Sequence, residues 1–383
     1  KNLDQPLQKN PKVIQGLILK AKLIIKEGKL EKANYLCNRA LKQNTNNLQA
    51  RILRGKIALE AKDLDKARET FTNICSLAPQ SPVGNIFLGK LALKEGKQQE
   101  ALEQYHIALK KDPGSYRAIS MIVYIHSQND NLYKALNFCT HFVQKYQSSP
   151  QIKSFLLAKK AQVLEKNNQT DKAKKFYKKA VDTYKGWTHP YIMLANIHKQ
   201  ENNLDQAISH LQNAQTQNSR LVQTNMKLGM LHEGLEEIST AQKYYRKCLE
   251  MEKEFTPAAN RLASILLSVE GKLARASSLI QRAKYINPDD PWTSATLGKY
   301  YSIKGAFYNA ISQYKNALKK LPSNPTIRYN LAKIHQKQNN NKKALKQLKR
   351  AVNSGQNFPR LSTAKKLIAE LSKDSADHQS GTE

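Results

Sequence analysis

A thirty-four-residue unit recurs along almost the whole chain, and it restricts the fold to something built by stacking copies. Its clearest copy is Pro291–Asn324, PWTSATLGKYYSIKGAFYNAISQYKNALKKLPSN. Ser294, Leu297, Gly298 and Tyr301 fall at the i, i+3, i+4, i+7 spacing of one helical face, with a glycine where a second helix must come close. Gly305 interrupts the periodicity. Ala310, Ile311, Tyr314, Ala317 and Leu318 then rebuild an apolar face until Pro322 stops it.

Aligning the alanine that opens each second helix (Ala33, Ala67, Ala101, Ala135, Ala173, Ala207, Ala241, Ala276, Ala310, Ala344) sets the register everywhere else. The units run 14–47, 48–81, 82–115, 116–149, 154–187, 188–221, 222–255, 256–290, 291–324 and 325–358. A small residue returns in the first helix as Ala21, Gly55, Gly89, Ala161, Ala195, Gly229, Ala263, Gly298 and Ala332, removing the bulk that would hold the two helices of a unit apart. Repeat four departs from the pattern, with Val123 at the small position and Phe142 where other units have Ala108, Ala180 or Ala317. Pro150–Lys153 follow as an insertion, so a hinge is expected at 150–153, between repeats 14–149 and repeats 154–358. Repeat eight carries one extra residue near Glu270 and Gly271, which lengthens its inner turn. Residues 1–13, with two prolines, read as a mobile leader. Residues 359–372 read as a capping helix with one apolar stripe, Leu361, Ala364, Leu367, Ile368 and Leu371, and residues 373–383 as a disordered polar tail.

This pattern resembles the tetratricopeptide repeat, a helix-turn-helix of the same period. The resemblance implies an all-α fold, a right-handed α-solenoid (superhelix) of about ten repeats closed by the capping helix. It also implies that first helices line a concave groove in which peptide ligands contact fixed register positions. Carried onto this chain, those positions in repeats one to three are Ile18, Lys22 and Ile25, then Ile52, Lys56 and Leu59, then Ile86, Lys90 and Leu93. They make an apolar trough with a lysine row, suited to a peptide segment or partner helix with apolar anchors and some acidic groups. Isoleucines facing such a trough should stay partly exposed. The carboxylate-clamp subset of the family, which binds acidic C-terminal peptides, is not matched: its nearest window has Asn196 and Arg261 but Ile192, Lys227 and Pro257 at the other positions. The closing run NPTIRYNLAKIHQKQNNNKKALKQLKRAVNSGQNFPRLSTAKKLIAEL looks like the ends of long bacterial proteins of this family associated with exopolysaccharide export and envelope protein sorting. That likeness implies a periplasmic or envelope-associated scaffold.

Charge narrows the partner classes. Lys and Arg number 63 against 30 Asp and Glu, a net charge of +33, so a polyanion or an anionic membrane surface is a candidate. The densest cations lie on second helices: Lys172, Lys175, Lys178 and Lys179, and again Lys343, Lys346, Lys349 and Arg350. In the family these helices form the convex side, which meets an acidic polysaccharide, lipid or nucleic acid without enclosing it. A specific nucleic-acid site is not expected, because no aromatic stacking series interleaves the lysines. The alternative function is nevertheless a basic adaptor that binds nucleic acid or another polyanion through that surface.

No GxxxxGK[ST], GxGxxG after a strand, HExxH or CxxC occurs, so no enzyme, cofactor or metal site is expected. His126, His198, His232 and His335 share one register position, where neighbours sit about 8–10 Å apart, too far for one zinc. They read as packing beside the inner turn. Cys37, Cys75, Cys139 and Cys248 are far apart in sequence and read as small hydrophobes. No stretch approaches the ~18 apolar residues of a membrane span. Because the chain begins at Lys1 rather than Met, removal of an upstream segment is expected, and any signal peptide or lipid anchor there would be out of view, so the compartment stays open between periplasm or envelope and, as the alternative, cytoplasm.

Overall fold

The computed structural model of the chain describes residues 14–128, 132–356 and 358–380, so the expected leader 1–13 lies outside the described residues. It is all-α, with no strand among the described residues. Repeats one to five pair α1 (Ile14–Lys26) with α2 (Leu30–Gln43), α3 (Leu48–Glu60) with α4 (Leu64–Leu77), α5 (Val83–Lys94) with α6 (Gln98–Lys111), α7 (Tyr116–Gln128) with α8 (Leu132–Lys145), and α9 (Pro150–Lys166) with α10 (Thr170–Thr183). Repeats six to ten comprise α11 (Thr188–Gln200) and α12 (Leu204–Gln217), α13 (Val222–Gly234) and α14 (Ile238–Met251), α15 (Thr256–Leu266) and α16 (Leu273–Ile286), α17 (Pro291–Ile303) and α18 (Phe307–Lys320), and α19 (Pro325–Lys337) and α20 (Asn341–Val352). A final helix, α21, spans Leu361–Ser380. Each odd-numbered helix up to α19 is thus the first helix of a repeat, and the chain is an α-solenoid. It divides into two compact units, one ending at Ile197 and the other beginning at His198, within α11.

Short-range chemistry ends the first helices. Each inner turn described holds one residue in the left-handed region: Gly28, Gly96, Gly271 and Gly305, but also Asn168, Asn202, Asn339, Lys62 and Glu236. In most of these turns the following amide closes back on the carbonyl five residues earlier, as Asp63 N does on Ala58 O at 2.9 Å and Glu237 N on His232 O at 2.9 Å. The turns therefore need a backbone conformation rather than a side chain. Side-chain caps occur at both kinds of turn: Asn47, Asp290 and Asn324 in outer turns, and Asp63, Asn203 and Asn340 in inner ones, each accept the amide three residues on.

All ten register alanines are fully buried. The small first-helix residue faces whatever stands four residues after that alanine, and the two sizes compensate. Gly55, Gly89, Gly229 and Gly298 lie against the rings of Phe71, Tyr105, Tyr245 and Tyr314; a Cβ on Gly229 or Gly298 would come within 2.6 or 2.8 Å of them. Where the first helix has alanine, the partner is smaller: Ala21 shares a core with Cys37, Ala263 with Ile280, and Ala332 with Leu348. Ala161 beside Tyr177 is the exception.

The same compensation holds in repeat four. Val123 is buried against Cys139, the small residue of that pair, so its extra bulk is matched across the interface. Phe142 is half-buried and packs against Phe138, ring centroids 4.4 Å apart and tilted by 31°. Pro150 is tolerated in a first helical turn, so the inserted residues lengthen α9 to 17 residues, and α9 packs on both α7 and α8. In repeat eight α15 stops early, and a turn from Leu267 to Lys272 takes up the extra residue. The stripe of α21 packs on Leu348 and Tyr329, joined by buried Phe358. The helix continues to Ser380.

Two outcomes follow from this packing. Gly298→Ala should cost about 1–3 kcal/mol by overpacking. Combined with Tyr314→Leu, which recreates the Ala332/Leu348 pair, it should cost less than the two single changes added, with a coupling of at least about 0.5 kcal/mol in urea denaturation. Glu236→Gly should raise the urea midpoint, gaining up to about 1 kcal/mol, since the left-handed strain relieved exceeds the backbone entropy added.

Candidate functional site

First helices present the register positions at which a groove can form. In the first unit the trough is shallower than the sequence suggests. Ile18 is 4% exposed and Leu59 1%; both belong to the core. Ile18 closes on Ala50 and Leu53 of the next repeat, and Leu59 lies under Phe71, Phe87 and Leu91. Ile25, Ile52, Ile86 and Leu93 are half-buried, while Lys22 and Lys90 are exposed. The lysine row is nonetheless a real neighbourhood. Lys56 sits with its Nζ 5.2 Å from the Phe87 ring centroid, and its ammonium is destabilised first by burial and then by Arg117, Lys90 and Lys22. Arg117, on α7, extends the row beyond the nine residues read from sequence.

Farther along the same unit a depression of about 640 Å³ lies over α7 and α9, with half-exposed Tyr124 on one wall and Lys159 and Gln162 on the other. Lys166 Nζ donates to Ser127 O at 3.1 Å and ties the two helices together.

The better-formed groove is in the second unit, a cavity of about 390 Å³ over α13, α15, α17 and α19. Its apolar surface comes from Met226, Met230, Ala295 and Ile327, and the Trp292 indole, 48% exposed, flanks it. Two cations border it. Lys299 Nζ donates to Ser264 O at 2.8 Å and Ser268 Oγ at 2.9 Å; burial lowers its pKa, against a smaller opposing pull from Glu233. Arg261 lies 3.4 Å from Glu233, a carboxylate already accepting the Tyr245 hydroxyl at 2.5 Å. At one end Asn260 is buried. Its amide donates to Asp290 Oδ2 and Thr293 Oγ1 at 3.0 and 2.9 Å, while its Oδ1 is left without a partner. An extended chain laid here meets apolar surface, an aromatic ledge and two ammonium or guanidinium groups.

The sequence held the signal for this groove, but not as residue type. Met226, Asn260 and Ala295 occupy the register position of Ile52, and Met230, Ser264 and Lys299 that of Lys56. A search for repeated aliphatic residues passes over them.

The second-helix cations Lys172, Lys175, Lys178, Lys179, Lys343, Lys346, Lys349 and Arg350 are all exposed. Among the described residues no cluster of three or more His, Cys, Asp or Glu could hold a metal, and no helix is long and apolar enough to cross a membrane. The register histidines do pack beside the inner turn: His232 stacks on Tyr244 and contacts Glu237 at 2.6 Å, and His198 stacks on His210. All four cysteines are free. Burial pushes the thiols of Cys37, Cys139 and Cys248 up to about 11, 12 and 12, and that of half-buried Cys75 up by less.

Family models described as tetratricopeptide repeat match residues 25–85 and 304–368, and residues 156–185, 188–219 and 222–255. No curated protein sequence matches the chain. Among solved structures it is similar to the APC/C hetero-tetramer Cut9–Hcn1, with a TM-score of 0.54 and 14% identity over 96% of this chain and 92% of that one. It is also similar to a tetratricopeptide repeat protein from Parabacteroides merdae, with a TM-score of 0.52 and 16% identity over 67% of this chain and 98% of that one. At these identities the likeness is one of fold.

Thiol titration with an aromatic disulfide at pH 8 should modify Cys75 first, leaving Cys37, Cys139 and Cys248 unreactive until denaturant is added, because thiols raised so far above pH 8 form little thiolate.

Proposed function

The chain belongs to the tetratricopeptide repeat family and is a protein-interaction scaffold, and we propose that it holds extended segments of partner proteins along the first-helix groove of its second unit. The observation that carries this reading is the Trp292 indole, half-exposed beside a methionine-lined cavity and within one groove of Lys299 and Arg261. Exposed tryptophan beside deformable methionine surface suits an apolar anchor side chain, and the two cations favour a carboxylate near it. Lys22, Lys56, Lys90 and Arg117 in the first unit add a second stretch with affinity for acidic segments, flanked by Ile52 and Ile86.

The place we assign it is assembly of a bacterial envelope, secretion or polysaccharide-export system. The similarity of residues 324–371 to the ends of envelope-associated members supports this, as do the exposed convex cations, which suit acidic polysaccharide or an anionic membrane surface. Those cations also favour a second reading, a basic adaptor for nucleic acid or another polyanion.

One experiment separates the two. Peptides selected from a displayed random library on the intact chain should carry an apolar residue close to an acidic one. Their affinity should fall about tenfold or more in Trp292→Ala. The stability of that variant should stay within about 1 kcal/mol of the parent. Reversing Lys343, Lys346 and Lys349 to Glu should change only a salt-dependent, sequence-independent component. Selected peptides that bind Trp292→Ala undiminished, but are lost with the reversed lysines, would replace the scaffold groove by the polyanion reading.

A further inference from the structure

At the one junction where the repeat is interrupted, the inserted turn helps to line a cleft. It measures about 550 Å³ and lies between α8, α9 and α10, on the side away from the groove residues of α9. Lys153, from the insertion itself, lines it together with Lys160 and Lys179, and Phe176 stands among them. The Lys160 Nζ is 4.6 Å from the Phe176 ring centroid and the Lys179 Nζ 5.4 Å, so one ring holds two ammonium groups no more than about 10 Å apart. Lys160 also donates to Thr140 Oγ1 at 2.7 Å, a hydroxyl whose own proton goes to Leu136 O. Asp182 is the one carboxylate lining the cleft, and it pairs with none of the three lysines among the described residues. A second depression, about 490 Å³, shares Phe176, Lys179 and Asp182 and adds Lys172, Lys175 and Lys178.

This arrangement is more specific than a charged surface. Two cations that repel each other are fixed by one aromatic face, and Lys160 has lost part of its hydration: burial lowers its pKa most, with Lys179 acting in the same direction. An anion placed between them would relieve both penalties. A planar monoanionic carboxylate is satisfied by one or two of these donors. A phosphate ester, tetrahedral and close to dianionic at neutral pH, can address Lys153, Lys160 and Lys179 together. The adjoining lysines continue the positive surface for a neighbouring phosphate.

We propose that this cleft is a binding site for a ligand carrying adjacent phosphate groups, one seated among Lys153, Lys160 and Lys179 and the next toward Lys172, Lys175 and Lys178. The site is independent of the protein-binding groove.

The test uses the intact chain and inorganic triphosphate as probe, by calorimetry at physiological ionic strength. Binding is expected, weakened about tenfold or more in Lys160→Met, which keeps the aliphatic stem, and likewise in Lys179→Met, whose exposed position leaves folding intact. The triple change Lys343→Met, Lys346→Met, Lys349→Met removes more convex charge elsewhere and should leave binding unchanged. A parallel arm floats the chain with phosphatidylcholine vesicles containing a fifth phosphatidic acid. Flotation lost with Lys160, even if free triphosphate binds weakly, supports the site and makes a lipid headgroup the source of the phosphate. Affinity that falls equally with the triple variant, or random-sequence duplex DNA that binds as tightly to Lys160→Met as to the parent, overturns the proposal in favour of diffuse attraction. Absence of binding by both probes overturns it outright.

Discussion

The structure depends on one close approach, made once in every repeat, between a small residue on the first helix and a side chain four positions past the buried alanine on the second. Helices of this length are marginal alone, and a two-helix unit buries too little to stand by itself. The approach is what lets the pair shut. In most repeats the two sizes compensate, as glycine with a ring, alanine with leucine or isoleucine, and valine with cysteine; Ala161 beside Tyr177 is the exception. Outside that contact the helices tolerate wide changes, which is how a chain this rich in lysine and asparagine keeps its core.

That tolerance frees the first-helix surface for binding. The positions that line the groove in the second unit carry Met, Asn, Ala, Ser, Trp and Lys in no repeating order, because nothing in the fold selects them. Polar groups in this region are mostly tied down: Lys299 to Ser264 and Ser268, Glu233 to Tyr245 and Arg261. A groove whose charges are held in place orders few side chains when a ligand arrives, so less of the contact energy is lost to entropy.

Nearly all of the architecture was legible in the sequence, since a register set by ten alanines locates the helix pairs, with α9 beginning four residues ahead of its repeat. Depth was not. Periodicity tells which face of α1 or α3 Ile18 and Leu59 occupy, but only the neighbouring repeat decides how far that face is covered, and it covers these two completely. The extent of the insertion is likewise visible only in the fold: Pro150 is a permitted first residue of a helix, so the inserted residues join α9. The groove of the second unit escaped because its signal is position without residue type, and the cleft beside Phe176 because its lysines come from two helices, of which only the α10 set stands out in sequence as a charged surface.

The paired sizes at the closing contact have a consequence for how such a chain changes over generations. Exchanging only the first helix between repeat nine and repeat ten would set Ala332 against Tyr314 and Gly298 against Leu348, one junction too full and the other hollow. Exchanging both helices together preserves every fit. The heritable cassette is therefore the intact repeat, and duplication or recombination that cuts at the outer turns can reshuffle groove surfaces freely, while cuts at the inner turns are selected against.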